Sequence, residues 1–327
     1  MIQEMSGEKP QFGYREGNLK TFMGPALRLG FLIGLCILLT ILNPYFLTWN
    51  NIINVLRQAT LLVIVGLGLT TVLLTAGIDL SVGGVLALVG CTTAQLLKSG
   101  LPIPLAVMLG LAVGAAAGYF NGFMVGVIGL PPFVATYGTK WISEGLALLL
   151  MQGTIIFDFP RSYRWIGIGY VGSMPVPIII AAILAFIFNS FLLRTVTGRN
   201  TYALGSNRDA AYYSGINVRK TTMLVYTLSG ITAGIAGLLM TARLDAAELG
   251  MGETFLTQGI ACVIMGGTSL AGGEGGITGT VIGAIILTLV VNGLNLMGVP
   301  TVWHQLVIGA VILAAVFIDL QVKKLTD

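Results

Sequence analysis

Long apolar runs, interrupted by short polar or glycine- and proline-rich stretches, dominate this sequence. A helix needs about 20 apolar residues to cross the hydrocarbon core of a bilayer. Backbone polar groups can be satisfied there only by helices or closed barrels. We therefore predict an all-α integral membrane protein with about ten transmembrane helices, at residues 26–42, 60–75, 85–97, 103–128, 133–151, 174–193, 221–242, 255–265, 280–296 and 301–320. We expect residues 50–58, with Arg57, to form a separate short amphipathic piece.

Charge is scarce, and its distribution predicts the orientation. Charged residues make up 9% of the chain, against about 25% in soluble domains. The basic residues cluster at the ends of predicted spans, which indicates cytoplasmic segments and no nucleic-acid partner. We predict a cytoplasmic arm at 1–25, a single transmembrane domain at 26–320 and a cytoplasmic tail at 321–327. The arm is too long and mixed for a signal peptide, so the first apolar run is retained.

The segment 194–220 is the largest predicted cytoplasmic loop. It carries five basic residues against one acid, Asp209, and ionised groups cost several kcal/mol at the bilayer centre. Asn207 is placed to cap a short helix that starts at Arg208 and ends near Gly215. Composition alone leaves two alternatives open, a solvated basic loop and a docking surface.

Two glycine-rich stretches interrupt the apolar runs, at 77–84 and 266–279. Their sequences GIDLSVG and GTSLAGG share an apolar lead-in, a leading glycine, a leucine three residues on and later glycines. Similar interrupted segments in the two halves of a chain indicate a weak internal repeat in a transporter, although chance similarity is the alternative. Helix breaks in a membrane must face protein or a water-filled cavity. The motif residues are Gly77, Asp79, Ser81, Gly83, Gly267, Ser269, Gly272 and Gly273.

Few ionisable residues fall within the predicted spans and breaks. Lys140 and Glu144 are spaced i,i+4 on one helix and can neutralise each other. Asp79 can cap the next half-helix or relay protons. The cap is favoured, because no second carboxylate is placed to form a relay; Glu274 falls in the second break.

Enzyme motifs are absent from the sequence. It has no G-x-x-x-x-G-K-[ST] phosphate loop and no H-E-x-x-H. Its one histidine, His304, is expected at an interface, and its three cysteines have no ligand-like spacing. We therefore predict no catalytic residues, no metal and no cofactor.

Five ordered motifs carry a family resemblance: GIDLSVG (77–83), PFVAT (132–136), ALGSN (203–207), SGINV (214–218) and GGTSLAGG (266–273). Together they resemble the permease subunit of the ribose-type carbohydrate ABC importers, over residues 50–319. The resemblance implies a bacterial inner-membrane protein with both termini cytoplasmic. It also implies an ABC ATPase subunit, a periplasmic sugar-binding protein and a second permease subunit, identical or paralogous.

The resemblance also assigns roles to the 194–220 loop. It implies an ATPase-coupling segment, in which small side chains at 210 and 211 let the short helix seat in a groove. The implied coupling residues are Arg199, Tyr202, Gly205, Asn207, Arg208, Ala210, Ala211 and Gly215. Relatives commonly have Arg-Gly where this chain has Glu144-Gly145. The resemblance therefore does not imply that ribose is the transported sugar.

The expected solute pathway rests on residue type and depth. Aromatic and polar side chains can pass a sugar by stacking and hydrogen bonds, and the candidates are Asn121, Phe133, Tyr137, Trp141 and Glu144. A branched-chain amino-acid ABC permease is one alternative. An ion-driven secondary transporter is another, with Asp79 as its only candidate ion site.

Overall fold

The structure is a computed structural model that describes the backbone of residues 17–326 and the side chains of residues 28–314 and 317. Most of the predicted arm at 1–25 therefore lies outside the described residues, as does Asp327 of the predicted tail. The helices are α1 (Gly17–Leu42), α2 (Trp49–Leu73), α3 (Val82–Lys98), α4 (Ile103–Phe123), α5 (Pro132–Met151), α6 (Arg161–Ile168), α7 (Val176–Arg194), α8 (Val196–Ser206), α9 (Arg208–Tyr213), α10 (Val218–Leu244), α11 (Glu253–Met265), α12 (Ile277–Leu296) and α13 (His304–Thr326). One π-helical turn, Met124–Ile128, continues α4, and 3-10 turns cover Leu249–Gly252 and Thr301–Trp303.

The architecture is helical, with two small strand pairs. Strand β1 (Ile156–Phe157) pairs antiparallel with β4 (Ala246–Ala247), and β2 (Tyr170–Val171) pairs with β3 (Met174–Pro175). Five helices in the described chain are long and apolar enough to cross a membrane: Trp49–Leu73, Ile103–Ile128, Val176–Arg194, Val218–Leu244 and Ile277–Leu296. Shorter apolar helices cover Arg28–Leu42, Val82–Lys98, Leu249–Met265 and Thr301–Ala314. An all-α membrane architecture follows, and the count of ten spans stays a prediction.

One local expectation is wrong. The amphipathic piece at 50–58 and the span at 60–75 are one continuous helix, α2, because no glycine or proline separates them. Between α5 and α7, helix α6 buries the ring of Tyr163. The Tyr163 hydroxyl donates to the carbonyl oxygen of Leu238, 3.0 Å away.

Helix α10 runs through the bundle and packs against α4 along a glycine face. A methyl group on Gly114, Gly118 or Gly122 would overlap the backbone of α10 at Gly230, Tyr226 or Met223. These glycines recur every four residues, so they share one side of α4. They let α4 and α10 approach closely along this face.

The two ends of α10 define the two ends of the molecule. One end, which we call the α8 end, holds α8, α9 and the last turn of α2. The other, the α6 end, holds α6 and the β1–β4 pair, where Arg164 forms an ion pair with Asp245 at 3.2 Å. Helix α10 has 27 residues, so about 40 Å separates the two ends.

Candidate functional site

The loop 194–220 forms two short helices, and the sequence predicted one of them. Asn207 caps α9 as predicted, since its Oδ1 accepts the backbone N–H of Ala210 at 2.9 Å. Gly215, at φ +83°, ends that helical segment. Helix α8 was missed, although its signal is present in the sequence. Thr195 precedes it, and its Oγ1 accepts the N–H of Gly198 at 3.0 Å, a common N-cap arrangement.

Helix α8 packs at once against the second glycine-rich stretch and against the end of α2, just before the first stretch. A methyl group on Gly205 would overlap the carbonyl oxygen of Leu74 and would lie 2.5 Å from the backbone nitrogen of Gly273. That same nitrogen donates a hydrogen bond to the Leu74 carbonyl oxygen at 2.9 Å. The Tyr202 hydroxyl donates to the Gly275 carbonyl oxygen at 3.0 Å. We call Leu74, Tyr202, Gly205, Gly273 and Gly275 the junction.

The second stretch folds tightly against α8 and the end of α2. Gly272 and Gly273 both have positive φ, +86° and +76°, a conformation that favours glycine. Side chains there would also press on Ala76 and Ser206. The turn is closed by Ser269, whose N–H donates to the Glu274 carbonyl oxygen at 2.9 Å.

The turns that lead into the two stretches have the same backbone geometry. Their correspondence is shifted by one residue from the alignment of the two sequence motifs. The turn after α2 has Ala76 at φ +58°, and the turn after α11 has Gly267 at φ +81°. In each case the next residue, Gly77 or Thr268, donates to the carbonyl oxygen five residues back, a Schellman ending. Ala76 therefore corresponds to Gly267, whereas the motif alignment paired Gly77 with Gly267. Helices α3, α9 and α12 end in the same way, so the ending does not argue for a repeat.

Asp79 ties the first stretch to α4 and α10. Its carboxylate is 1% exposed and accepts the backbone N–H of Ser81 at 2.9 Å, its hydroxyl at 2.6 Å and the hydroxyl of Ser229 at 2.7 Å. Asn121 donates to the Ser81 Oγ at 2.8 Å. Gly83, just beyond, has no room for a side chain against Gly252. Asp79 therefore holds the start of α3 in place.

The aromatic pathway candidates form a ladder on an exposed face of α5. The rings of Phe133 and Tyr137 stack with centroids 5.7 Å apart, and Tyr137 meets Trp141 edge-on at 6.1 Å. Glu144 forms the predicted ion pair with Lys140, at 3.7 Å. Asn121 lies elsewhere, buried with Ser81. The structure therefore groups four of the five pathway candidates on α5 and separates the fifth.

Helix α9 presents a different face from the one expected. Ala210 is exposed, but Ala211 is 4% exposed and packs inside this chain, so it cannot line an outward groove. The side chains that do point outward include Tyr212 and Tyr213, with ring centroids 5.6 Å apart. Arg199 and Arg208 are also exposed. The expectation that Ala211 faces outward is corrected, and the outward face of α9 carries Tyr212 and Tyr213 instead.

The fold and the junction define a multi-pass membrane protein with an exposed helix pair packed on its interrupted helices. The family model described as "Branched-chain amino acid transport system / permease component" matches residues 51–316. The chain belongs to this family of transport permeases. No solved structure matches it.

Several curated relatives of the chain are sugar permeases. The D-allose transport system permease protein of Escherichia coli K12 is 42% identical over 86% of this chain and 87% of its own length. The ribose import permease protein of Bacillus subtilis 168 is 42% identical over 91% and 94%. The xylose transport system permease protein of Haemophilus influenzae is 30% identical over 85% and 91%. The resemblance noted in the sequence is thus confirmed, and the chain is a transport subunit.

Proposed function

We propose that this chain is the membrane-spanning subunit of an ABC importer in the bacterial inner membrane and that it carries a monosaccharide. The similarity to allose, ribose and xylose permeases supports a sugar over a branched-chain amino acid, although the family description names the latter. ATP is hydrolysed by a separate ATPase subunit. A periplasmic binding protein delivers the sugar, and a second permease subunit, identical or paralogous, completes the membrane part.

The α8 end faces the cytoplasm in this proposal, and both termini lie on that side. Arg199, Arg208, Arg219 and Lys220 are all exposed there, and an excess of basic residues is typical of cytoplasmic segments. The α6 end then faces the periplasm and the binding protein.

The proposed mechanism rests on one observation, the close packing of Gly205 between Leu74 and Gly273. Helix α9 docks on the ATPase through Tyr212 and Tyr213, and α8 continues from it into the bundle. The Gly205 contact leaves no free space, and packed interfaces shift between discrete arrangements and resist gradual deformation. Movement of α8 on ATP binding therefore displaces the end of α2 and the stretch before α12. Those displacements open the pathway inward.

The sugar passes the aromatic ladder of α5 in this scheme. Stacked and edge-on rings give a sugar apolar faces, and they bind it weakly enough to release it. Selection is left to the binding protein.

Reconstitution tests the proposal directly. The chain, its cognate ATPase and binding protein are placed in proteoliposomes with D-ribose, D-allose, D-xylose or L-leucine. We expect ATP-dependent accumulation of at least one sugar, no accumulation of leucine, and no effect of ionophores at constant ATP. Leucine accumulation favours the amino-acid alternative. Sugar uptake that ionophores abolish favours a secondary transporter.

A further inference from the structure

A cavity of about 330 Å³ lies between α2, α10, α11 and α12 toward the α6 end. Small-molecule sites start at about 300 Å³, so a solute the size of one monosaccharide fits. Helix α11 has 13 residues, about 20 Å, which is shorter than a membrane span. It begins inside the bundle, because Gly252 just before it packs on Gly83 of α3. The first turns of α11 line the cavity through Thr254, Phe255 and Gln258.

The cavity walls carry hydrogen-bonding groups that the protein does not use. Gln58, Arg243, Thr254 and Gln258 line the space, and within the described residues none of these side chains has a hydrogen bond or ion pair. Thr288 donates back to the Ala284 carbonyl oxygen at 2.8 Å, which leaves its oxygen lone pairs free. Gln58, Arg243 and Gln258 are partly exposed and Thr254 is exposed, so a solute in this space can reach their donors and acceptors.

The residues that line the cavity also indicate which chemical class of solute it can bind. Among the described residues that line it, Arg243 is the one charged group and none is a carboxylate, so a cation is disfavoured. Two amides and a guanidinium supply donors and acceptors at several angles, which suits neighbouring hydroxyl groups. The ring of Phe255 adds an apolar surface for the C–H face of a sugar.

We infer that this cavity is a binding site for a neutral or anionic monosaccharide that has left the binding protein and has not yet reached the inner half of the pathway. The inference rests on the proposed function of sugar import, and it adds to the α5 ladder a polar site on other helices. Gln258 and Arg243 are the specificity-determining residues of the site.

The test uses the complete reconstituted transporter, with D-ribose, D-allose and D-xylose as probes. Gln258→Met and Arg243→Met remove the polar heads and keep most of the side-chain length. Gln305→Met, on an exposed position of α13 away from the cavity, is the matched control. At limiting sugar we expect uptake to fall about tenfold in both cavity variants and to stay normal in the control. Binding-protein-stimulated ATP hydrolysis stays within about twofold of wild type in all three.

Two results would overturn this inference and leave the proposed function intact. One is normal uptake in both cavity variants. The other is a parallel loss of uptake and stimulated hydrolysis, because a merely structural role moves both together. If the wild-type transporter carries none of the three sugars, the proposed function is contradicted. The inference that rests on that function then fails as well.

Discussion

The backbone N–H of Gly273 donates a hydrogen bond to the carbonyl oxygen of Leu74, 2.9 Å away. This bond joins the end of α2, just before the first glycine-rich stretch, to the second stretch, in the other half of the sequence. Gly205 of α8 packs directly on the pair. Any movement of α8 therefore acts on both the end of α2 and the second glycine-rich stretch.

Tyr202→Phe should weaken the junction. The hydroxyl donates to the Gly275 carbonyl oxygen, and such a bond contributes about 0.5–1 kcal/mol at a partly exposed site. A thermal unfolding midpoint lower by about 1 °C is expected for the purified chain. Burial raises the pKa of the Tyr202 phenol above its ordinary value, so the hydroxyl stays a donor and the difference should not vary between pH 6 and 9.

Tyr212→Phe is the matched control, because its exposed hydroxyl makes no hydrogen bond to any described residue. Its unfolding midpoint should equal that of the wild type. Equal midpoints for Tyr202→Phe and the wild type would show that the bond to Gly275 does not stabilise the junction.

Asp79→Asn should preserve most transport, whereas Asp79→Leu should abolish it. An amide oxygen still accepts the bonds from Ser81, and its NH₂ can donate to the Ser229 hydroxyl. Leucine leaves those buried donors without an acceptor, at about 1–3 kcal/mol each. Uptake and membrane-inserted protein are measured together, with and without a protonophore at constant ATP.

The proton-relay alternative predicts another pattern. Asp79→Asn would then insert normally and lose uptake, and the protonophore would stop wild-type uptake. That pair of results would contradict the structural role of Asp79.

Tyr213→Ala should weaken ATPase docking. The ring is 85% exposed beside Tyr212, and central aromatic residues at interfaces contribute about 2 kcal/mol or more. Affinity for the ATPase should fall about 30-fold, measured by titrating labelled ATPase into permease nanodiscs. Tyr45→Ala, an exposed tyrosine near the start of α2 at the α6 end, should leave the affinity unchanged. Equal affinities for both variants would place the docking surface elsewhere.

Features that depend on neighbouring residues were predictable from the sequence. The Asn207 cap, the Lys140–Glu144 pair and the glycine face of α4 each rest on spacings of three or four residues. The helix breaks were also located, because glycine runs interrupt apolar segments wherever they occur.

Features that depend on tertiary packing were not predictable from the sequence. The contact of Gly205 with Leu74 and Gly273 pairs distant segments, and no local pattern records it. The inward turn of Ala211 depends on how α9 lies on the bundle, since periodicity cannot orient a six-residue helix. Placing Ala76, and not Gly77, in the left-handed conformation contradicts the usual glycine preference, so the motif alignment was off by one residue.

The most direct test of the central claim is the number of sugar molecules imported per ATP hydrolysed by Gly205→Ala. Its methyl group must push apart Leu74 and Gly273, and overpacking a fitted contact costs about 1–3 kcal/mol. Gly138→Ala on α5, where an added methyl group meets nothing within 4 Å, is the control. In proteoliposomes with saturating binding protein, Gly205→Ala should retain ATPase binding and basal hydrolysis, with sugar import per ATP reduced about tenfold to hundredfold. Equal import per ATP in the two variants would contradict coupling through the junction.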